Sequence, residues 1–461
     1  MSEAPTNAFR KIPAVDQLLR AAQLAELRGT IGTKRLTAVA RLVLSEMRAE
    51  LAANGTKANT ETLLVDAIQR ITLACELERW SGIRRVINAT GVVLHTNLGR
   101  APLSESAQTA ISEVSRYCSL EYDTASGVRG SRGSRVELLL QQLTDAEDAL
   151  VVNNCAAAAL LILSGLASDG ETIVSRGELV EIGGDFRVPD IMASSGTTMM
   201  EVGTTNRTHV EDYRRAVNSK TRLLMRVHPS NYKIIGFASR PQLSELVVLA
   251  HESKLPIYED AGSGQISEST GELAEPSIAS LIRAGADVVS FSGDKLLGAV
   301  QAGLIVGKRE IINKLRKHPL YRALRSDKIR LAALEATLEI HVREVATEDL
   351  PTTRMLSLSA EAIRLRAEAL LTKLRDLKTL NLDLVDGDSA VGGGAAPGVS
   401  LPTTLISVSH LSLSATEIEQ GLRKYSPPVI ARIADDKVLI DLRTVFEDEE
   451  ADLCSALLSV R

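Results

Sequence analysis

One stretch decides the predicted fold: Asp287-Val288-Val289-Ser290-Phe291-Ser292-Gly293-Asp294-Lys295-Leu296-Leu297-Gly298. Its apolar first half predicts a buried β-strand, which runs out into small and polar residues and stops at one lysine. A second apolar run, residues 304–306, follows after further glycines. An enzyme that uses pyridoxal 5′-phosphate (PLP) requires this arrangement of strand, small residues and single lysine.

Lys295 is the residue of this stretch that would carry the chemistry. In a PLP enzyme the lysine forms a Schiff base with the cofactor and later carries protons. Small neighbours let the backbone approach the cofactor, and a serine at the turn, such as Ser292, can donate a hydrogen bond to its phosphate. The alternative is an ordinary surface lysine after a buried strand.

A second segment, residues 256–264, supports the PLP interpretation. It is another short apolar run that ends in an acid, Asp260, followed by small residues. A PLP ring needs a carboxylate at its pyridine nitrogen, because the protonated ring is the electron sink for carbanion chemistry. The carboxyl ends of buried strands are also where open α/β sheets bind ligands. The alternative role for Asp260 is to cap a helix.

The wider sequence predicts an α/β core with a largely parallel, doubly wound sheet, because short apolar runs alternate with helical patterns. Helical periodicity precedes this core, and a mixture of strands and helices follows it. We therefore predict a helical domain with its linker at residues 1–75, the catalytic core at 76–345, and a small α+β domain at 346–461. Loops are predicted at residues 387–389 and 392–394, which are rich in glycine. The strands predicted for the core are residues 149–152, 172–174, 198–202, 222–227, 256–259, 288–291 and 304–306.

Composition is that of a globular protein of the cytoplasm. The chain has 461 residues, 44% of them hydrophobic, and no apolar run long enough for a membrane span. We expect no secretory signal, and the four scattered cysteines indicate a reducing compartment without a zinc cluster. The net charge is −5, yet residues 1–60 carry nine basic and five acidic side chains, or +4. This asymmetry favours a polyanionic partner, the alternative being a solvated helical surface.

Other segments offer candidate ligands for a cofactor or an anion. Asn154, Cys155 and Ala156 lie where a predicted strand turns into an alanine-rich helix, whose N-terminus suits a phosphate. His228 follows a predicted strand and could stack on the cofactor ring or hydrogen-bond to it, although a lone histidine is more often structural. Arg322 and Arg325 would face one anion if their segment were helical. Arg207, past another strand, and the Arg-rich loop at 122–135 are weaker candidates.

Taken together, these segments resemble the bacterial selenocysteine synthases, the family of L-seryl-tRNA(Sec) selenium transferases. The resemblance covers nearly the whole chain, including its helical start. The stretches that carry it are residues 12–16, 87–103 (Ile-Asn-Ala-Thr-Gly-Val-Val-Leu-His-Thr-Asn-Leu-Gly-Arg-Ala-Pro-Leu), 127–135, 176–184, the strand with Asp260, and 292–297.

The resemblance implies a fold-type-I PLP-dependent transferase that assembles as a homodecamer, a pentamer of dimers. It implies that the N-terminal domain recognises the selenocysteine tRNA and that seryl-tRNA displaces Lys295 from an aldimine. Lys295 would then remove the α-proton, and water would leave to give dehydroalanyl-tRNA. Selenium from selenophosphate would add to that alkene. Arg100, Arg322 and Arg325 would bind the selenophosphate, and Asp294 would position a substrate or a proton.

Two features depart from the family pattern. Ala299 and Val300 stand where the family has Gly-Pro, and Cys155 stands where a polar residue is expected. Two other functions share parts of the pattern: a PLP-dependent β-eliminating or transsulfuration enzyme acting on a small amino acid, and a tRNA-binding scaffold without catalysis. The first has no need of a basic helical domain, and the second has no need of Lys295 and Asp260.

Overall fold

The computed structural model describes residues 11–54, 59–80, 82–182, 186–268, 275–375, 377 and 379–460. It divides the chain into two compact units, residues 1–85 and 86–461. Gly183 and Gly184 of the stretch 176–184, and Arg10 and Lys57 of the basic N-terminal region, lie outside the described residues. Within the described part, no helix has the length and apolar character needed to cross a lipid bilayer.

The first unit is helical, as predicted. Leu36, Ala40, Val43 and Met47 recur every three or four residues along the longest helix and are buried, as an amphipathic helix requires. They share a core with similarly spaced residues of the following helix. The helices are α1 (Val15–Arg20), α2 (Ala25–Ile31), α3 (Thr33–Asn54) and α4 (Thr60–Trp80), with a 3₁₀ turn at Ala22–Leu24.

The second unit alternates strands and helices. Its strands are β1 (Ile87–Asn88), β2 (Val92–Leu94), β3 (Asp148–Val152), β4 (Glu171–Ser175), β5 (Glu181–Ile182), β6 (Phe186–Arg187), β7 (Thr198–Val202), β8 (Thr221–Val227), β9 (Ile257–Gly262), β10 (Val288–Ser292), β11 (Gly303–Gly307), β12 (Leu380–Gly392), β13 (Ser400–His410), β14 (Val429–Ile430), β15 (Arg432–Ala434) and β16 (Lys437–Asp441). Its helices are α5 (Glu105–Val114), α6 (Ser134–Thr144), α7 (Cys155–Ala167), α8 (Val188–Ser194), α9 (Val210–Ala216), α10 (Leu243–Glu252), α11 (Ile278–Arg283), α12 (Arg309–Lys317), α13 (Pro319–Leu324), α14 (Lys328–Val342), α15 (Ala346–Asp349), α16 (Pro351–Ser357), α17 (Ala360–Leu374), α18 (Ala415–Lys424) and α19 (Glu450–Ser459). Short 3₁₀ turns lie at Thr96–Leu98, Arg176–Glu178 and Glu447–Glu449.

Seven strands form the central sheet in the order β3-β11-β10-β9-β8-β4-β7. Neighbouring strands are parallel except at β11, which runs antiparallel to both β3 and β10. The inner strands β9, β10 and β11 are buried almost throughout, because separate hydrophobic cores cover the two faces of the sheet. The predicted doubly wound α/β core is therefore confirmed, and each of the seven predicted runs forms one of its strands.

A second sheet has the order β15-β16-β13-β12-β2 and includes a strand from the start of the unit. The loop predicted at residues 387–389 is wrong, because these residues lie inside β12 and pair with β13. Gly387 has a packing role there: a Cβ atom at this position would lie 2.5 Å from Cδ1 of Leu405. The cross-strand neighbour fills the space beside the glycine, so the strand continues through a residue that usually interrupts one.

A buried arginine joins the elements around this second sheet. Arg443 is 1% exposed. Its guanidinium donates to Ser389 Oγ at 2.8 Å and to the carbonyl oxygens of Met355 at 2.9 Å, Leu358 at 2.7 Å and Pro402 at 2.7 Å. The guanidinium thus connects β12 and the residues around α16 to the start of β13.

Asp441 lies beside Arg443 and is fully buried. It accepts hydrogen bonds from Ser389 Oγ at 2.7 Å, from Thr403 Oγ1 at 3.0 Å and from the Arg443 backbone amide at 3.0 Å. A Cβ atom at Gly91, whose φ is +74°, would lie 2.1 Å from the Asp441 carboxylate. Only glycine therefore lets the segment before β2 pass over this carboxylate.

We expect Arg443→Met to destabilise the second unit by about 3–5 kcal/mol, because it leaves three carbonyl groups and Ser389 Oγ without their donor and removes the positive charge near the buried Asp441 carboxylate. Urea unfolding followed by circular dichroism measures this change. The matched control is Arg423→Met, since Arg423 is an exposed residue of α18 that pairs with Glu419. We expect less than about 1 kcal/mol there. Equal unfolding midpoints for the two variants would contradict the structural role of Arg443.

Candidate active site

The carboxyl ends of three neighbouring parallel strands meet at one edge of the central sheet. His228 follows β8, Asp260 lies near the end of β9, and Ser292 ends β10. They line a cavity of ≈ 200 Å³ together with Lys295. The other lining residues are Arg100, Asn154, Cys155, Ala156, Val227, Ser230, Gly262, Asp294 and Gln301. Strand ends of this kind form the usual ligand site of an open α/β sheet.

Lys295 is 4% exposed, which is unusual for a lysine. Burial lowers the pKa of its amine and nearby Arg100 lowers it further, while the Asp260 and Asp294 carboxylates act in the opposite direction. An amine whose pKa is lowered is more often neutral and is therefore a better nucleophile and base. Gly394 packs directly on this side chain, since a Cβ atom there would lie 2.5 Å from Lys295 Nζ.

Asp260 is 8% exposed and has ordered partners. Ser290 Oγ donates to Asp260 Oδ1 at 3.0 Å and lies 2.7 Å from the Tyr258 hydroxyl. Cys155 Sγ lies 3.7 Å from the same Asp260 oxygen, in position to donate. Burial raises the pKa of Asp260, whereas the Ser290 hydrogen bond and Lys295 oppose the rise. A positively charged ring nitrogen placed at this carboxylate would favour its ionised form.

Cys155 begins helix α7 at the wall of the cavity. Burial raises the pKa of its thiol to about 12, so the thiol stays protonated and acts as a weak donor toward Asp260. The side chain of Asn154 caps the helix by accepting from the Ala157 amide at 2.9 Å. Asn154, Cys155 and Ala156 therefore bring a helix N-terminus, which attracts anions, to the edge of the cavity.

Arg100 and Asp294, which both line the cavity, form an ion pair. Arg100 Nη1 donates to Asp294 Oδ2 at 2.8 Å. The Arg100 backbone has a φ of 62°, in the left-handed region that non-glycine residues seldom adopt. Such strain persists only where the surrounding structure holds it, and it is often found at functional sites. The backbone amide of Ala101 also donates to the Asp294 carbonyl, at 3.3 Å.

Glu275 is a site residue that no pattern in the sequence indicates. It is 7% exposed, and its carboxylate lies 2.7 Å from His228 Nε2. It also accepts from the Ala396 amide at 2.7 Å and from Ser263 Oγ at 3.2 Å. Burial opposes its ionisation, but the His228 hydrogen bond and charge outweigh that effect and lower the pKa of Glu275 overall. The carboxylate thus holds the imidazole beside the cavity.

The structure places Arg325 and Arg322 elsewhere. Helix α13 ends at Leu324, and Arg325 is already extended, so the two arginines do not share a helical face. Arg325 lines a separate cavity of ≈ 510 Å³ with Arg129 and Arg132 of the arginine-rich loop. Arg322 is exposed, and among the described residues neither arginine lines the cavity that contains Lys295. Their predicted contact with selenophosphate stays a prediction.

The residues of the Lys295 cavity fit PLP. A buried amine and a buried carboxylate line one cavity, a helix N-terminus lies at its edge, and Gly394 leaves no side chain over Lys295. The signal for Gly394 in the sequence is the run of three glycines at 392–394, which indicates a turn but not what the turn approaches. Nothing in the local sequence around Glu275 distinguishes it from a surface acid.

Comparison with known proteins agrees with this geometry. Residues 86–446 match the family model described as L-seryl-tRNA selenium transferase, and residues 9–48 match one described as selenocysteine synthase N terminal. A relative from Geobacter sulfurreducens named L-seryl-tRNA(Sec) selenium transferase is 46% identical over 97% of this chain and 98% of its own length. One of the same name from Carboxydothermus hydrogenoformans is 46% identical, over 98% and 97%.

A solved structure of D-glucosaminate-6-phosphate ammonia-lyase matches with a TM-score of 0.59 and 21% identity, covering 83% of this chain and 96% of that one. At that identity the likeness concerns the fold alone. The sequence matches extend over both units of the chain and nearly the full length of the relatives. The chain therefore belongs to the L-seryl-tRNA selenium transferase family.

Proposed function

We propose that this chain converts L-seryl-tRNA(Sec) to L-selenocysteinyl-tRNA(Sec), with PLP as its cofactor and selenophosphate as the selenium donor. The observation that carries the proposal is the pairing of buried Lys295 and buried Asp260 in one cavity, in a chain that belongs to the selenium transferase family. When bound, PLP supplies the electron sink that stabilises negative charge at the serine α-carbon.

Lys295 is the base and acid of the proposed reaction. Its Nζ holds the cofactor at rest, removes the α-proton of the seryl group, and returns a proton to the same carbon after selenium has added to the β-carbon. The serine hydroxyl leaves as water between these steps, and water cleaves the Se–P bond of selenophosphate, so that phosphate is released as selenium is transferred. Burial lowers the pKa of the Lys295 amine, which favours the neutral form that can remove a proton. Asp260 holds the proton on the ring nitrogen, with Ser290 and Cys155 fixing its orientation.

Arg100 is the anion ligand that the geometry of the cavity supports best. Arg100 lines the cavity, and its guanidinium is held by Asp294, which adjoins Lys295 in sequence. A guanidinium recognises a phosphate-like anion through paired N–H donors. We assign it to selenophosphate, and Asp294 to the orientation of Arg100.

The helical N-terminal unit is the proposed tRNA-binding part. Lys34, Arg41 and Arg48 are exposed and lie seven residues apart along α3. A spacing of seven residues returns to nearly the same face of a helix, so the three form one basic stripe. A stripe of this kind matches the phosphates of a nucleic acid backbone. Because the substrate is a tRNA, we expect the protein in the cytoplasm; a homodecamer, a pentamer of dimers, stays a prediction from the family resemblance.

The proposed function is tested first by borohydride reduction of the purified protein, followed by peptide mapping and turnover assays. We expect the cofactor to be fixed to Lys295, and Lys295→Ala to lower turnover of seryl-tRNA by at least about 10²–10⁴-fold, because one group performs both proton transfers. Lys314→Ala, an exposed lysine of α12, is the control and should leave both results unchanged.

The substrates in the same assay separate the alternatives. If the protein consumed free L-serine as fast as seryl-tRNA, it would be an enzyme that acts on small amino acids. Protein that binds tRNA but retains no cofactor, even after PLP is added, would indicate a scaffold. Either result would refute the proposed function.

We expect Glu275→Gln to lower kcat roughly tenfold, since the amide cannot accept every hydrogen bond that the carboxylate accepts and a lost charge-assisted hydrogen bond costs about 1.5–3 kcal/mol. The visible absorption band of the bound cofactor should shift, because His228 loses its orientation. Glu268→Gln is the control, as the Glu268 side chain is 74% exposed. An unchanged spectrum and kcat would show that Glu275 does not position His228.

The basic stripe is tested with the triple variant Lys34→Gln, Arg41→Gln and Arg48→Gln. We expect weaker binding of seryl-tRNA, and a salt dependence whose slope falls by about one for each phosphate contact removed. The cofactor spectrum should not change. The control is the triple variant Lys314→Gln, Lys317→Gln and Lys424→Gln, which removes the same number of positive charges from exposed positions of the second unit. Equal affinities of the two triple variants would argue against the stripe as the tRNA contact.

A further inference from the structure

A larger cavity lies beside the one that contains Lys295. It measures ≈ 590 Å³, and His228 lines both cavities. Its walls come from the residues that follow β4, β7 and β8, which are adjacent strands of the sheet. The proposed chemistry at Lys295 uses none of these walls except His228 and Glu275.

Backbone hydrogen bonds connect two of the segments that line this cavity, residues 204–208 and the segment around Ser239. The Thr208 amide donates to the Ser239 carbonyl at 3.0 Å, and the Ser239 amide donates to the Asn206 carbonyl at 2.9 Å. The Thr204 amide donates to the Arg207 carbonyl at 2.8 Å. Two loops that are distant in sequence thus form one surface, with hydroxyl and amide side chains among its lining residues.

The charge of this cavity is positive. Arg207, Lys233 and Arg240 line it. These three basic side chains outnumber the two acids in the lining, Glu275 and Glu178. Burial raises the pKa of Glu178 to about 8, so Glu178 is largely protonated at neutral pH. The Arg207 guanidinium lies 5.9 Å from the centre of the Phe237 ring, which is 84% exposed and adjoins the lining residue Ala238 in sequence.

The substrate of the proposed reaction requires a site in this position. The serine α-carbon must reach Lys295, and a single ester linkage joins the seryl group to the last ribose of the tRNA. The last nucleotide must therefore lie next to the Lys295 cavity, where the larger cavity adjoins it at His228. Phosphodiesters bind arginine and lysine, and bases stack on exposed aromatic rings.

Building on the proposed function, we infer that the larger cavity binds the 3′-terminal nucleotide of the aminoacyl-tRNA, with Arg207 and Arg240 as ligands of its phosphate. A phosphate group could also belong to selenophosphate on its way to Lys295. The two sources differ in which substrate loses affinity when the arginines are removed, so kinetic measurements separate them.

The test uses the holoenzyme and the single variants Arg207→Gln and Arg240→Gln. Equilibrium binding of seryl-tRNA is measured over a series of salt concentrations, and KM is measured separately for seryl-tRNA and for selenophosphate. We expect seryl-tRNA affinity to fall about tenfold or more, with a salt slope smaller by about one and an unchanged KM for selenophosphate. Arg215→Gln, at an exposed residue of α9 in the same part of the fold, should match the wild type.

Unchanged affinity for seryl-tRNA in both variants would overturn the inference, as would a change confined to the KM for selenophosphate. A loss of affinity without any change in salt slope would also overturn it, because a phosphate contact must release counterions. The visible spectrum of each variant should equal that of the wild type, which verifies that the cofactor site is intact. Wild-type protein that binds seryl-tRNA but does not turn it over would refute the proposed function, while the binding data would still test the cavity.

Discussion

The buried carboxylate of Glu275 is the constraint on which the candidate site depends. It accepts hydrogen bonds from the His228 side chain, from Ser263 after β9 and from the backbone of Ala396 after β12. These partners belong to three separate parts of the chain. Burying a carboxylate without hydrogen-bond partners costs free energy, so the folded state keeps all three donors in contact with Glu275. The segment that contains Gly394 is thereby kept against the Lys295 side chain.

The parts of the site that follow strands were predictable from the sequence. Asp260 and Lys295 are far apart in the chain, but each follows an apolar run, and parallel neighbouring strands bring their carboxyl ends to one edge of a sheet. In the structure, His228 and the start of α7 also line the cavity at that edge, and their contacts with a cofactor stay a prediction. Arg100 was proposed as an anion ligand from the family resemblance alone. In the structure it lines the same cavity and forms an ion pair with Asp294. Periodicity and burial are local properties, which is why they could be inferred from a single sequence.

The parts that depend on long-range packing could not be predicted. Glu275 has no local pattern, and its partners are fixed only when the C-terminal segment folds over the sheet. Gly387 looks like a loop residue until Leu405 of the next strand fills the space beside it. Arg325 looks helical, but the bond from the Asn153 amide to the Leu324 carbonyl and the bridge to Val152 draw its backbone alongside β3. In each case a tertiary contact overrides the local preference.

The sizes of the two adjoining cavities bear on the choice between a small and a large substrate. The cofactor would fill most of a cavity of ≈ 200 Å³. A free amino acid is small, so an enzyme that acts on one needs little additional space. Here a cationic cavity of ≈ 590 Å³ opens beside it, and the shared residue His228 is held in place by Glu275. A free amino acid has no phosphate to bind those cations, whereas an amino acid esterified to a nucleotide would bring one to them. Together with a basic stripe on a separate helical unit, the site therefore has the features of an enzyme whose amino acid substrate arrives on a nucleic acid.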